Sequence, residues 1–270
     1  VTLPTFCAGQ RVVLRFGSVT HTAKVWLNGQ LIAQHKGGFT PFEADVTALL
    51  RPGETVLLTV ACDNRVNHST LPVGNEDGQP AFFGSDNAGI PSVEAAKRAA
   101  APQNRPNFDF FNYAGIHRPV WLYTTQKEYI EDVTVVPAVD GTVQYAVKTT
   151  GSAPVHVTVL DADGNAVASA EGAEGTITIP EVHLWEPRPG TPYLYTLHIT
   201  CGADVYDQTF GVRSIEVRGT QVLLNDKPLY FKGFCKHEDF TAHGRGFDPV
   251  LNVKDVNLIH WANANTVRTS

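Results

Sequence analysis

Methionine is absent from this 270-residue chain, as is any run of about 18 apolar residues. A bilayer-spanning helix needs about 20 consecutive apolar residues, so we predict no transmembrane helix. The cysteines are far apart and form no C-x-x-C pair, which argues against a zinc site and a dense disulfide framework and favours buried free thiols. We therefore expect no metal. The cysteines are Cys7, Cys62, Cys201 and Cys235.

Charge is also sparse, at 18% of residues, and Asp plus Glu outnumber Lys plus Arg by 27 to 21. The net charge of −6 leaves no basic stripe, so nucleic acid and anionic membranes are not expected as partners. A hydrophobic content of 43% is typical of a folded globular protein, and the length allows about two domains.

The cellular compartment stays open. No signal peptide is visible at Val1, but a chain without methionine does not show its own initiation site. Asn67-His68-Ser69 forms one glycosylation sequon, a short pattern that matters only in a secreted protein. Both a cytoplasmic and a secreted location are compatible with these features.

The first 125 residues have an all-β pattern. Val12, Leu14 and Phe16 alternate along one predicted strand, and Asn28-Gly29 between two β-forming runs predicts a hairpin. Residues 63–107 differ, because they are rich in Gly, Pro, Asn and Asp and contain one short helical candidate over 92–101. So long a polar segment is usually a functional loop or disordered. We favour a loop, because the aromatic run F-D-F-F-N-Y follows it directly.

A second β-rich region begins near Tyr129. Its strand candidates recur at short spacing, which predicts an immunoglobulin-like sandwich without the Cys-Trp-Cys core of antibody domains. A turn at 161–165 separates two of them. The candidates are 130–136, 142–149, 155–160, 176–179, 193–200 and 207–217.

Residues 229–239, L-Y-F-K-G-F-C-K-H-E-D, form an apolar run that ends in a polar cluster. An apolar strand with ionisable groups at its C-terminal end is how a (β/α) barrel builds an active site. Asp248-Pro249 then predicts a helix start, and a second short strand is predicted over 266–268. One strand, one helix and the start of another strand do not bury a barrel core. We therefore expect the chain to be a piece of a longer protein, clipped at both ends.

Three positions are candidates for function, each with a plainer alternative. Asp109 lies among aromatic residues, as in sugar sites, but an Asp in a loop more often solvates a turn. His237 ends the apolar run, which favours function over a solvated loop residue. For His117-Arg118 we expect an ion pair or backbone contact at a strand entry rather than catalysis.

Five motifs occur in one order along nearly the whole chain. By them the chain resembles the β-glucuronidase branch of glycoside hydrolase family 2. The first motif is V-W-L-N-G followed by H-K-G-G-F-T-P-F-E-A-D-V-T, and the second is D-F-F-N-Y-A-G-I-H-R-P-V-W-L-Y-T-T. The third is L-W-E-P followed by P-Y-L-Y-T-L, and the fourth is F-G-V-R-S-I-E-V. The fifth is F-K-G-F-C-K-H-E-D followed by A-N-T-V-R-T-S.

This resemblance implies a mainly β fold in three modules. Residues 1–127 would form a jelly-roll-like sugar-binding sandwich that lacks its beginning. Residues 128–218 would form an immunoglobulin-like sandwich. Residues 219–270 would form the first βα unit of a truncated TIM (β/α)8 barrel, whose full form holds the family's active site.

The same resemblance implies the chemistry. The parent enzyme would hydrolyse β-D-glucuronides with retention, as a homotetramer without metal or organic cofactor. Asp109 and His237 match family positions that contact the hydrolysed sugar. The acid/base, the nucleophile and the element that recognises the uronic carboxylate match no residue of this chain, so no catalytic residue is assigned and the chain alone is expected to be inactive. The alternatives are a β-galactosidase or β-mannosidase of the same family, or a non-catalytic carbohydrate-binding β-sandwich protein.

Overall fold

The computed structural model describes residues 1–65, 69–70 and 113–269, which contain eighteen β-strands, one short 3-10 helix and one α-helix. The 3-10 helix is Thr5–Cys7 and the α-helix, α1, is Pro249–Trp261. The strands are β1 (Arg11–Phe16), β2 (Thr22–Leu27), β3 (Gln30–Lys36), β4 (Phe42–Asp45), β5 (Leu58–Asp63), β6 (Val120–Thr125), β7 (Ile130–Pro137), β8 (Thr142–Thr149), β9 (Val155–Leu160), β10 (Ala166–Glu171), β11 (Glu174–Thr178), β12 (Tyr195–Cys201), β13 (Asp204–Phe210), β14 (Ile215–Arg218), β15 (Gln221–Leu224), β16 (Lys227–Pro228), β17 (Gly233–Lys236) and β18 (Thr266–Thr269).

The chain divides into two compact units. The first unit holds the described residues up to 124 together with 237–251, and the second holds 125–236 and 252–269. The loop that follows the predicted barrel strand thus packs with the N-terminal region, although more than a hundred residues separate them along the chain.

The described residues of the first unit contain two three-stranded sheets, in the orders β4-β1-β6 and β3-β2-β5. Their shared core includes Leu14, Phe16 and Val25, each at most 3% exposed. The predicted Asn28-Gly29 hairpin is confirmed: β2 pairs with β3, and both turn residues have positive φ, 47° and 83°, as a two-residue type I′ turn requires.

The second unit contains a seven-stranded sandwich of two antiparallel sheets, β11-β8-β7 and β10-β9-β12-β13. Alternate residues of the inner strands are buried between the sheets, including Val157 on β9 and Leu197 and Ile199 on β12, all fully buried. Antiparallel pairing with one buried face gives this alternation. The predicted immunoglobulin-like sandwich is confirmed.

Two features of this sandwich differ from the sequence prediction. The A-V-A-S-A-E run of β10 is a strand although its residues favour strands weakly, because it pairs along β9. The single strand predicted over 207–217 is two strands, β13 and β14. Between them the chain leaves the sheet: Val212 forms a parallel bridge with Leu184, and its carbonyl accepts the Trp185 amide at 2.8 Å.

Strands β17 and β18 are parallel, with Phe234 opposite Val267, and α1 connects them. This is the predicted first βα unit followed by a second strand. Asp248 caps the helix as predicted: its Oδ1 accepts the amides of Val250 at 2.9 Å and Leu251 at 3.1 Å.

The predicted strand starts later than its apolar run, at Gly233. Before it, the side chain of Asn265 binds the main chain: Oδ1 accepts the Lys232 amide at 2.8 Å and Nδ2 donates to the Tyr230 carbonyl at 2.9 Å. Side-chain bonds to main-chain groups compete with sheet formation in this way.

The cysteines are free, and the expectation that they are buried holds for Cys7 and Cys201 only; Cys62 and Cys235 are exposed. Within residues 1–65, 69–70 and 113–269, no helix has the length and apolar character needed to cross a membrane. Over the same residues, no three His, Cys, Asp or Glu side chains converge as a metal site would require.

Candidate functional site

His237 directly follows the last residue of β17 and is exposed. Its neighbour Glu238 is exposed as well, whereas Asp239 is half-buried. The Oδ1 atom of Asp239 is shielded from solvent and accepts no hydrogen bond from a described residue. An exposed histidine at the carboxyl end of a parallel strand is available to a ligand, as at the top of a (β/α) barrel.

Lys236 does not share this position, although the sequence places it in the same polar cluster. Its Nζ donates to Asn252 Oδ1 at 2.9 Å and lies 3.3 Å from Asp255 Oδ2. Its side chain is only 16% exposed. Lys236 therefore joins β17 to α1 and is not available to a ligand.

A tight loop, residues 240–247, follows His237 and is called the docked loop below. Phe240 and Gly244 exchange two main-chain hydrogen bonds, at 2.9 and 2.8 Å, and the rings of Phe240 and His243 stack at 5.1 Å. Gly244 has φ +59°, a conformation that L side chains rarely adopt. The loop is thus closed by its own contacts.

The docked loop rests on the N-terminal part of the first unit. The Phe247 amide donates to the His117 carbonyl at 2.9 Å, and the Arg245 guanidinium lies 4.9 Å from the centre of the Phe39 ring. A cation at this distance over an aromatic face is attracted by the ring quadrupole. One main-chain bond and one cation–π contact thus join the loop to two separate segments.

The ring of His117 contacts the segment between β1 and β2. Its Nδ1 is 2.9 Å from Thr20 Oγ1. Burial lowers the pKa of the His117 imidazole below its usual value, and the positive charges of Arg245 and Arg118 lower it further, while a backbone hydrogen bond involving Tyr113 acts in the opposite direction. Burial and neighbouring cations both disfavour the charged ring.

Arg118 makes the backbone contact that the sequence predicted for this position: its Nη1 donates to the Phe39 carbonyl at 3.3 Å. The preceding carbonyl, of Gly38, accepts a hydrogen bond from Ser18 Oγ. Phe39 is therefore held at its main chain by Arg118 and contacted on its ring by Arg245.

Asp109, the other predicted site residue, lies outside the described residues. The same holds for the aromatic residues before Tyr113, the helical candidate over 92–101 and the sequon at Asn67. The last six residues of the D-F-F-N-Y-A-G-I-H-R motif, 113–118, are described. They hydrogen-bond to the segment between β1 and β2: the Thr20 amide donates to the Gly115 carbonyl at 2.9 Å.

Sequence reasoning did not find Phe39, Gly244 or Arg245. Phe39 lies in a Gly- and Pro-rich bend, which predicts a turn and nothing about its partners. A signal was present in G-R-G, because two glycines flanking one long cation are typical of a tight loop that exposes it. No local pattern indicates that its partner lies about two hundred residues earlier.

Three family models match the chain from end to end. The sugar binding domain of glycosyl hydrolases family 2 matches residues 1–126, a model described as glycosyl hydrolases family 2 matches 124–213, and the TIM barrel domain of that family matches 215–270. The chain belongs to glycosyl hydrolase family 2. Its fold is accordingly a jelly-roll-like sandwich, an immunoglobulin-like sandwich and the first βα unit of a TIM barrel.

Similar proteins are β-glucuronidases. The solved structure of Faecalibacterium prausnitzii β-glucuronidase is 96% identical, with a TM-score of 0.92 over all of this chain and 45% of that one. A β-glucuronidase from Ruminococcus gnavus, solved in complex with D-glucuronic acid, is 38% identical with a TM-score of 0.84, over 100% and 45% of the two chains. The β-glucuronidase of Paenibacillus borealis is 40% identical over 99% of this chain. The chain spans 44% of the length of that relative.

Proposed function

We propose that this chain is part of a retaining exo-β-glucuronidase, which hydrolyses β-D-glucuronides through a covalent glycosyl-enzyme intermediate. The observation that carries the proposal is the 96% identity to F. prausnitzii β-glucuronidase over all 270 residues. The likeness to an R. gnavus enzyme solved with D-glucuronic acid supports glucuronic acid as the sugar recognised.

The three modules have separate roles in this proposal. Residues 1–127 form the sugar-binding sandwich, 128–218 the immunoglobulin-like sandwich and 219–270 the start of the catalytic barrel. The family-model matches to 1–126, 124–213 and 215–270 support these boundaries. We further propose that the enzyme assembles as a homotetramer, as the family resemblance implies, and needs no metal or organic cofactor.

Within the chain, Asp109 and His237 contact the sugar to be cleaved. A carboxylate such as Asp109 accepts hydrogen bonds from sugar hydroxyls, and charge-assisted bonds of this kind are about twice as strong as neutral ones. The exposure of His237 at the end of a parallel strand supports its role. Retaining hydrolysis also needs two carboxyl groups about 5–5.5 Å apart, one as nucleophile and one as acid then base. We assign neither of them to this chain.

The proposal is tested in a hybrid enzyme, in which these 270 residues replace the matching 45% of the F. prausnitzii enzyme. The hybrid is assayed with chromogenic β-glucuronide, β-galactoside and β-mannoside, and we expect turnover of the glucuronide. No turnover of the glucuronide by a folded hybrid would contradict the proposal, because these residues would then fail to support the sugar site of a β-glucuronidase. The 270 residues alone should show no turnover at high protein concentration.

Alanine at Asp109 or His237 tests the binding roles in the hybrid. Loss of a charged hydrogen bond costs about 1.5–3 kcal/mol, which lowers kcat/KM roughly 10- to 150-fold. Glu238→Gln, at an exposed neighbour, is the matched control for His237, and Asp163→Asn, at an exposed turn of the second unit, is the control for Asp109. An unchanged kcat/KM in either alanine variant would remove that residue from the proposed site.

A further inference from the structure

We propose that Gly244 and Arg245 are positioning residues: they fasten the docked loop to the first sandwich and thereby hold His237 where the sugar binds. The inference rests on the proposed function, because it needs His237 to contact the sugar. His237 lies three residues before the loop begins, so the position of the loop limits where the His237 side chain can lie.

Gly244 is required at its position for two independent reasons. Its φ of +59° disfavours any residue with a Cβ, and a Cβ built there would lie 2.8 Å from two atoms of the Tyr113 ring. Real Cβ atoms do not approach another heavy atom so closely. Any side chain at Gly244 therefore moves either the loop or the Tyr113 ring, and Tyr113 belongs to the motif that also contains Asp109.

Arg245 joins the loop to a different segment, which contains Phe39. Its guanidinium lies over the ring of Phe39, whose carbonyl is bound by Arg118. Phe39 is thereby bound at its main chain by Arg118 and contacted on its ring by Arg245. The Phe247 amide, two residues further along the loop, donates to the His117 carbonyl at 2.9 Å, so the loop also contacts a second segment.

Three contacts join the docked loop to the first sandwich and its adjoining segments. They are a close glycine–ring approach at Tyr113, a cation–π contact at Phe39 and a main-chain hydrogen bond at His117. The loop itself is closed by its two Phe240–Gly244 bonds, which link its first residue to the glycine that meets the Tyr113 ring. Loss of one contact therefore shifts the segment that carries His237, and a shift of about 1 Å can cost on the order of 100-fold in rate.

Gly244→Ala in the hybrid enzyme tests this, with Gly219→Ala as a matched control. Gly219 has nearly the same φ, +62°, but a Cβ there meets no atom within 4 Å. Both variants therefore carry similar backbone strain, and only Gly244→Ala meets the Tyr113 ring. We expect Gly244→Ala to lower kcat/KM for the glucuronide by at least about tenfold, and Gly219→Ala to change it less than about twofold.

A second variant, at Arg245, tests the inference even if Gly244→Ala does not fold. Arg245→Met keeps the aliphatic stem and removes the cation, and it should lower kcat/KM in the same direction with a near-native Tm. Arg245→Lys should recover part of the loss, because an ammonium also binds an aromatic face.

A double-mutant cycle separates positioning from a general loss of structure. If the loop acts through His237, each loop variant should add less than about twofold to the defect of His237→Ala. If a loop variant lowers kcat/KM by the same factor in the His237→Ala background as in the unmodified hybrid, the inference is overturned. An unchanged kcat/KM in both loop variants would overturn it as well. If His237→Ala alone has no effect, the proposed binding role fails and the inference with it. A defect in His237→Ala without any defect in the loop variants overturns the inference only.

Discussion

Replacing Asn265 with alanine removes the side chain that holds the entry to the first barrel strand. Its Oδ1 accepts the Lys232 amide at 2.8 Å and the Thr266 hydroxyl at 2.9 Å, and its Nδ2 donates to the Tyr230 carbonyl at 2.9 Å. Residues 229–232 lie outside the strands, and besides these bonds the Lys232 carbonyl accepts the Asn265 amide at 2.8 Å. Loss of the side-chain bonds should loosen the segment before Gly233, which keeps that main-chain bond.

The magnitude follows from three hydrogen bonds. Each contributes about 0.5–1.5 kcal/mol net, which sums to about 1.5–4.5 kcal/mol. Tyr230 and Lys232 are exposed, so water replaces part of what is lost. We therefore expect a loss of about 1.5–2.5 kcal/mol in the free energy of unfolding. Amide exchange at Lys232 should accelerate by about tenfold or more, because opening needs that much less free energy.

Hydrogen exchange resolved at Lys232 is the direct assay, with urea unfolding as the global measure. Asn265→Asp keeps the acceptor and loses the donor, so its effect should be intermediate. Asn165→Ala, in a turn of the same unit where its Nδ2 donates to Asp161, should leave exchange at Lys232 unchanged. Native exchange at Lys232 in Asn265→Ala would refute the idea that this amide holds the segment.

Three further predictions concern the cap, the sandwich core and pH. Asp248→Ala removes both amide contacts at the start of α1 and should cost about 1 kcal/mol in urea unfolding, while Asn should keep most of the stability. Leu197→Ala, at a fully buried site, should lower the free energy of unfolding by about 2–5 kcal/mol. The control Leu194→Ala, at a site 46% exposed, should lower it far less. Equal losses of stability in the two variants would contradict the assigned core. The pKa of His117 is lowered from 6.5 in the folded chain, so below about pH 6.5 the unfolded chain binds a proton more readily and the free energy of unfolding falls. His117→Gln should therefore reduce the loss of Tm between about pH 7 and 5. The control His260→Gln, at an exposed site, should leave that loss unchanged.

Features encoded by neighbouring residues were predictable. The Asn28-Gly29 hairpin follows from turn chemistry, and the start of α1 follows from Asp248 and the proline after it. The strand over Thr142–Thr149 has the predicted bounds, because its alternation of buried and exposed residues is visible in the sequence. In each case the determining atoms lie within a few residues of one another.

Features that depend on distant partners were not predictable. The break between β13 and β14 exists because Val212 pairs with Leu184, which no local pattern indicates. The A-V-A-S-A-E run forms β10 only because β9 is beside it. The four residues before Gly233 have strand propensity, yet the Asn265 side chain binds the Lys232 amide and the Tyr230 carbonyl.

The candidate site divides in the same way. His237 was placed correctly at the carboxyl end of a parallel strand, because an apolar run that ends in ionisable residues is typical of the strands of a (β/α) barrel. Its contact with the sugar, like that of Asp109, stays a prediction. The packing of the following loop on Phe39 and His117 depends on contacts between residues about 130 to 200 positions apart. The hydrophobic periodicity of the sequence does not predict contacts over such distances.

The sequence alone therefore determined which residue types are available: a polar cluster after an apolar strand, a family order of motifs and a β-rich composition. The tertiary structure decided which of these residues meet. It separated Lys236, bound to α1, from exposed His237, and it brought Arg245 over Phe39. The physical reason is that propensity, capping and turn chemistry act over a few residues, whereas the position of a functional side chain is set by packing between segments that meet only in the folded chain.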